Sequence, residues 1–430
     1  MNPLRFLMLT VGVYYFLQAM GGNPGVHFQS LQKYLKEVLK FSPTEMSVFM
    51  TMIIFPWTIK PLYGLISDFL PIFGSRRKSY FILTGILGAG AYLALSWSGF
   101  SKEVIGIYLV ASAVSFAFSD VVCDALMVER GQPLKATDRL QSVQWAASGL
   151  AGIFLAYSKG YIAEHWTFQQ ALWLAAVPPV LVILFTVFAL KEEPAPSAGE
   201  NAKRAWGGLT EAVQSKTLWL TALFLFLFNC NPNLGSVFYF YEKDALKFSD
   251  GLIGKIDAVG SMSFMAGTVI YSLFSKRLSH AALLKVIILT GVLGNISYLF
   301  FRDAFSGYLV SGFSGVVSVV ALLGILTVAA KACPKYAEGS VFALLMSVFN
   351  LGARVGDYTG SYIYERTEDV VILLLSPLQI SPRLADLLFE KWYSGMLNVV
   401  HYLTPYSLLV IIAALFTASM WFFRGMAKEN

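Results

Sequence analysis

Charge is what this sequence has least of. Only 13% of its 430 residues are charged, while 56% are hydrophobic and the mean hydropathy is +0.62. That balance excludes a water-soluble globular domain of ordinary composition. Long polar stretches are missing as well, so there is no room for a large soluble domain. The three cysteines, Cys123, Cys230 and Cys333, show no CxxC or metal-ligand spacing. This excludes a disulfide framework and a zinc site, and all three read as small core residues. No metal-binding pattern is present, and no cofactor is implied. Strands that alternate apolar and polar positions over about ten residues would mark an outer-membrane barrel. Continuous apolar stretches such as Ala171 to Leu190 exclude it. No cleavable leader is evident: Met1 to Ala19 carries one basic residue, Arg5, and no convincing small-residue cleavage site, so it reads as a first span.

What is present is a series of apolar runs, each close to the roughly 20 residues that cross a bilayer as a helix. They are Phe6–Ser30, Thr44–Ser67, Tyr80–Trp97, Val104–Val128, Leu140–Tyr161 and Ala171–Leu190, then Leu218–Tyr241, Leu252–Phe274, Ala282–Phe301, Tyr308–Ala330, Gly339–Tyr364 and Val399–Phe423. The expected fold is an all-α membrane protein of twelve transmembrane helices. Residues 1–190 form an N-terminal six-helix half, 191–216 a linker rich in Pro, Ala, Gly and charge, and 217–430 a C-terminal six-helix half. The net charge of +6 reads as the positive-inside bias and not as nucleic-acid affinity. Basic residues concentrate on the side of the termini and linker, which predicts both termini in the cytoplasm of a bacterial-type inner membrane. Membrane lipid is the implied surrounding, and a monomer the expected state.

The halves resemble each other. An Asn-Pro pair (Asn23-Pro24, Asn231-Pro232) precedes the same tetrapeptide at nearly equal spacing, Leu39-Lys40-Phe41-Ser42 and Leu246-Lys247-Phe248-Ser249. Tyr108-Leu109-Val110 matches Tyr308-Leu309-Val310, and Tyr161-Ile162-Ala163-Glu164 is similar to Tyr362-Ile363-Tyr364-Glu365. Duplicated six-helix halves are the arrangement of an alternating-access transporter, with its substrate between the halves near the midplane.

Ionisable groups inside a span cost ~2.5 to 3.5 kcal/mol on insertion scales and are functional candidates by default. Away from the span ends they are Lys60, Asp120, Asp124, Asp257, Arg354 and Asp357, with Asp257 close to the outer rim. Spans three, six, nine and twelve hold none. Asp120 and Asp124 share one helix face, as do Arg354 and Asp357. Two positive and four negative groups sum to −2, and an uncompensated buried carboxylate takes up a proton. Proton coupling through Asp120, Asp124 or Asp357 follows. The plainer alternative makes Lys60 with Asp124, and Arg354 with Asp357, structural ion pairs. Asn23 and Asn231 sit beside prolines within predicted helices, where freed carbonyls and amides either face substrate or simply mark bends. His27 is either a titrating group or a polar packing residue. Trp57, on the Lys60 face, and Trp145 are placed to stack a planar ligand, or else belong to the core.

Gly64 and Asp68, followed by Gly74, Arg76, Arg77 and Lys78, resemble the GxxxD…GxRRK signature of the major facilitator superfamily, with extra residues between its parts. These six read as a conformational motif. Lys60-Pro61-Leu62-Tyr63-Gly64 through Asp68, Pro71-Ile72-Phe73-Gly74, and Ser119-Asp120-Val121-Val122-Cys123-Asp124-Ala125 are more particular, and with them the chain resembles the folate-biopterin transporter family. The resemblance implies a twelve-helix facilitator that carries folates or pterins, together with protons, and is not an enzyme. A carboxylate can hold the pterin edge through both oxygens, an aromatic ring can stack on its face, and a cation can meet a folate's carboxylates. Asp120 or Asp124 suit the first role, and Arg354 or Lys60 the last. Other facilitator substrates (a peptidoglycan fragment, a sugar or a drug) stay open, as does a membrane-embedded transferase, although neither 191–215 nor 367–396 shows a metal or nucleophile constellation.

Overall fold

The computed structural model describes residues 3–70, 72–75, 77–131, 133–134, 136–190, 214–232, 234–274, 278–332, 338–367 and 404–423. Most of the predicted linker, Cys333, Arg76 and the side chain of Asp68 lie outside the described residues. The helices are α1 (Pro3–Gly21), α2 (Phe28–Lys33), α3 (Pro43–Ile54), α4 (Lys60–Phe69), α5 (Lys78–Trp97), α6 (Lys102–Gly131), α7 (Thr137–His165) and α8 (Phe168–Ala189). After them come α9 (Lys216–Asn229), α10 (Gly235–Phe240), α11 (Asp250–Phe274), α12 (His280–Ser297), α13 (Ala304–Lys331), α14 (Glu338–Glu365) and α15 (Pro405–Ser419). Joining α1 to α2, α3 to α4 and α9 to α10 gives twelve passes among the described residues. Among the described residues, eight helices are long and apolar enough to cross a membrane on their own. Of the interrupted passes, α1 qualifies by itself, whereas α3, α4, α9 and α10 are too short; α7 and α14 are long enough but too polar.

The interruptions correct the expectation of continuous helix through both Asn-Pro pairs. Proline lacks the N–H that the helix ladder needs, so α1 stops at Gly21 and α9 at Asn229, and each pass resumes a few residues later. Buried Tyr92 donates to the Gly21 carbonyl at 2.7 Å, satisfying one of the acceptors that the break exposes.

The repeated tetrapeptides build the same device twice. A π turn (Tyr34–Val38, Tyr241–Ala245) ends each resumed helix. The following lysine is left-handed, φ +58° at Lys40 and +56° at Lys247. Phe41 then donates its N–H to Leu35 and Phe248 to Glu242, both at 2.9 Å, and the serine caps the next helix. We call this the 38–43 end of the bundle, and the opposite one the 70–78 end.

Two seams join the first eight helices to the rest, α7 against α11 and α3 against α14. Small residues permit them, since helices in lipid associate through close packing and not through a hydrophobic drive. A side chain at Gly160 would meet Gly254 Cα at 2.7 Å, and one at Gly254 would meet Gly160 Cα at 2.8 Å, so the backbones of α7 and α11 touch there. The repeated glutamates act across the same seams. Glu365 accepts from the Thr44 N–H at 2.7 Å at the start of α3, and the Glu164 carboxylate abuts Gly251 at the start of α11. The 38–43 end is thereby held together by both halves of the repeat.

Candidate substrate and ion site

The second pass bends where the candidate residues lie. Pro56 opens a 3₁₀ turn, Phe55–Ile59, and Pro61 opens α4, so the ladder is broken around Trp57 and Lys60. Lys60 Nζ reaches Asp120 Oδ2 at 2.5 Å and stands 4.5 Å from the Trp57 ring centroid. The lysine side chain is 26% exposed, whereas that of Asp120 is 9% exposed. The pair therefore presents its cation, and not its carboxylate, to open space. The other Asp120 oxygen accepts from Gln18 Nε2 at 2.6 Å. One helical turn on, Asp124 accepts from the Tyr15 hydroxyl. Among the described residues no lysine or arginine lies within 4.0 Å of Asp124.

Neither ion pair weighed as the plainer alternative forms. Lys60 is bound to Asp120 and not to Asp124, because the register of α4 against α6, set across the bend at Pro56 and Pro61, brings it to the earlier aspartate. Arg354 and Asp357 share a helix face but make no salt bridge. Asp357 is buried and accepts from Ser47 Oγ at 2.9 Å, Ser236 N at 2.7 Å and Ser236 Oγ at 3.0 Å. It thus ties α3 to the first turn of α10, an anion at a helix N-terminus. Arg354, one turn away on α14, is half-buried, with no carboxylate within 4.0 Å among the described residues.

The asparagines differ. Asn23 is engaged on both sides, with His27 Nε2 at 2.9 Å and Ser112 Oγ at 3.2 Å, and is packed away from open space. Asn231 is buried, with its Oδ1 unpartnered. Trp145 is 45% exposed on α7, one turn from Gly149, whose Cβ position lies 3.5 Å from Met265 of α11. Its face is accordingly the one turned to the α7/α11 seam. Asp257 forms a 2.7 Å ion pair with Lys159 across that seam.

Tyr15 and Gln18 escape a search for ionisable groups because neither carries charge. A signal was there: they lie three residues apart, on one face of a span otherwise rich in apolar residues. Tyr63 is a third such residue, its ring stacked on Phe118 at 5.0 Å and its buried hydroxyl unpartnered.

At the 70–78 end, Ile72 and Ser75 exchange backbone hydrogen bonds at 3.0 Å around Phe73 (φ +51°) and Gly74 (φ +74°). Two positive φ values make a type I′ turn, which accounts for Gly74. Buried Arg77 forks onto Glu129 at 2.5 and 3.2 Å and donates to Ser67 at 2.9 Å, fastening the end of α4 to that of α6. Lys78 donates to the Val187 carbonyl at 3.3 Å, and Gly64 packs on Val121.

Carboxylates, a presented cation and an aromatic face thus lie together inside a helical bundle. Residues 21–373 match the model of the BT1 family. The Folate-biopterin transporter of Synechocystis sp. is 30% identical over 379 residues, 84% of this chain and 75% of the relative. Folate transporter 2 of Plasmodium falciparum is 25% identical over 353 residues, 78% of this chain and 77% of the relative. Among solved structures, a bacterial homolog of the human lysosomal transporter Spinster, inward-facing and unoccupied, superposes with a TM-score of 0.72 at 12% identity, covering 99% of this chain and 98% of its own. The D-xylose-proton symporter gives 0.65 at 11% identity, over 100% and 98%. All of these are transporters and none is an enzyme. The chain belongs to the BT1 family, the folate-biopterin transporters, and has the major facilitator fold.

Proposed function

We propose that this protein is a proton-coupled transporter of folates or pterins that works by alternating access between two six-helix halves, residues 1–190 and 217–430. Its termini and linker lie on the cytoplasmic side of a bacterial inner membrane, and it acts as a monomer. The names of its relatives support the substrate class. The observation that carries the mechanism is the pair of neighbouring carboxylates in unlike surroundings: Asp120 neutralised by Lys60, and Asp124 with only a tyrosine hydroxyl.

In this reading Asp124 holds the transported proton, since a carboxylate without a cation in the bundle is cheaper to carry neutral. Lys60 and Arg354 meet the substrate's carboxylates, and Trp57 stacks on its ring. A bidentate grip on the pterin edge by Asp120 requires Lys60 and Gln18 to release it, so substrate and the internal cation compete for one carboxylate. With the 38–43 end on the outside, the seams close the outer face and the site is reached from the cytoplasm.

Equilibrium binding of labelled folate to the purified protein tests this reading. A simple pterin should compete, while a sugar, a nucleoside and a peptidoglycan fragment should not. Trp57→Leu should weaken binding by about 1 kcal/mol, roughly five-fold, the value of one stacking contact. Competition by the sugar or the fragment, with none by the pterin, would move the substrate to another facilitator class.

A further inference from the structure

At the 38–43 end, nine charged side chains converge from both sides of the seams: Lys33, Lys36, Glu37 and Lys159 from the first helices, and Glu242, Lys243, Asp244, Asp250 and Asp257 from the later ones. Buried Asp250 is the hub. It lies 3.5 Å from Lys33 and 3.1 Å from Lys243, and accepts from Gln29 at 3.2 Å and the Tyr239 hydroxyl at 3.1 Å. Lys36 pairs with Asp244 at 2.6 Å, Lys159 with Asp257 at 2.7 Å, and Lys243 reaches Glu37 at 3.8 Å. Four of the five carboxylates thus lie within 4.0 Å of a lysine.

Glu242 is the exception. It is 2% exposed, its Oε1 has no hydrogen-bond partner, and no cation lies within 4.0 Å of it among the described residues. Glu242 is thus the one carboxylate of this group whose charge no lysine within 4.0 Å offsets, and a proton on it removes that charge. The groups that face it are Lys243 and Tyr239 on its own pass, Asp250 and Asp257 on α11, Lys159 on α7, Tyr298 after α12 and Tyr406 on α15. The two carboxylates oppose its ionisation, and the two lysines are committed to other acids.

The geometry points to Glu242 as a second proton-binding site, one that locks the 38–43 end: protonated and buried while the α7/α11 seam is closed, ionised and hydrated once it opens. This rests on the alternating-access reading but not on the substrate. The sign follows from linkage: the closed state binds one more proton at Glu242, so raising the pH favours opening and lowering it favours closure. Separating α7 from α11 parts Lys159 from Asp257, and either carboxylate then gains access to a cation or to water.

Spin labels at the exposed positions Lys102 and Arg302, one on each side of the seams, report the gap by electron-electron distance measurement on the full chain in nanodiscs. The native cysteines are replaced, and no substrate is added. The wild type should widen as pH rises. Glu242→Gln should stay closed throughout and lose the infrared carbonyl stretch of a protonated carboxylic acid that the wild type shows in its closed state. Glu242→Asp, which withdraws the acid by one methylene, should keep the opening but displace its midpoint. A titration that survives unchanged in Glu242→Gln or Glu242→Asp overturns the assignment. Because neither readout uses a folate or a pterin, failure of the substrate reading leaves this test standing, and failure here leaves the transport reading standing.

Discussion

Asp124→Asn should abolish accumulation of substrate driven by a proton gradient while sparing exchange of preloaded for external substrate. Asparagine mimics the protonated carboxyl, so the carrier keeps its neutral form and can still alternate when substrate is bound. It cannot release a proton, and the gradient loses its grip. Asp120→Asn is expected to differ, because it strips Lys60 of its partner and leaves an uncompensated cation in the bundle. Removing one member of a buried pair costs about 3 to 5 kcal/mol, so that variant should lose exchange as well as accumulation. Counterflow and gradient-driven uptake, measured on the two variants side by side, check the difference. Equal loss of both activities in both variants would assign the two aspartates a single shared role.

The second large effect comes from packing. Gly254→Leu should hold the 38–43 end apart and reduce transport by at least an order of magnitude, with the protein still folded. The reason is that a Cβ at this position meets backbone, Gly160 Cα at 2.8 Å and the Ala156 carbonyl at 2.9 Å, and backbone cannot swing aside as a side chain can. The α7/α11 seam must then part, which breaks the Lys159–Asp257 pair beside it. Crosslinking across the seam reads the change, and full activity with an intact seam would show that the helices slide to make room. Gly152, also on α7, has open space for 4 Å around the position a Cβ would take, so Gly152→Leu serves as the control.

The passes were legible because a membrane demands about 20 apolar residues per helix, and the repeat because both copies kept the Leu-Lys-Phe-Ser turn. The sequence also exposed Lys60, Asp120 and Asp124, since charge inside a span is conspicuous. Partnership was not legible. Whether Lys60 meets Asp120 or Asp124 depends on the register of α4 against α6, which the bend at Pro56 and Pro61 sets and no periodicity encodes. Arg354 and Asp357 have the spacing of an ion pair, yet Ser236 and Ser47 claim the carboxylate. Helix termination was missed at Asn23-Pro24 although Gly21-Gly22-Asn23-Pro24-Gly25 is a run of helix breakers, because the span was carried through it to Val26 and Phe28. Glu242 escaped for a plainer reason: it falls one residue beyond the predicted span that ends at Tyr241, where charge is expected and draws no notice. Its burial arises only in the folded bundle, where α7, α11 and α15 bring side chains around it.

Uptake into proteoliposomes tests the central claim most directly. Labelled folate and a labelled simple pterin are offered with and without an inward proton gradient to the intact protein, to Asp124→Asn and to Arg354→Gln. Accumulation of at least one of them, driven by the gradient and lost in Asp124→Asn, is the predicted result, with Arg354→Gln impairing folate more than the pterin, which lacks the carboxylates. No uptake of either compound by folded intact protein, whichever way the gradient runs, would contradict the claim.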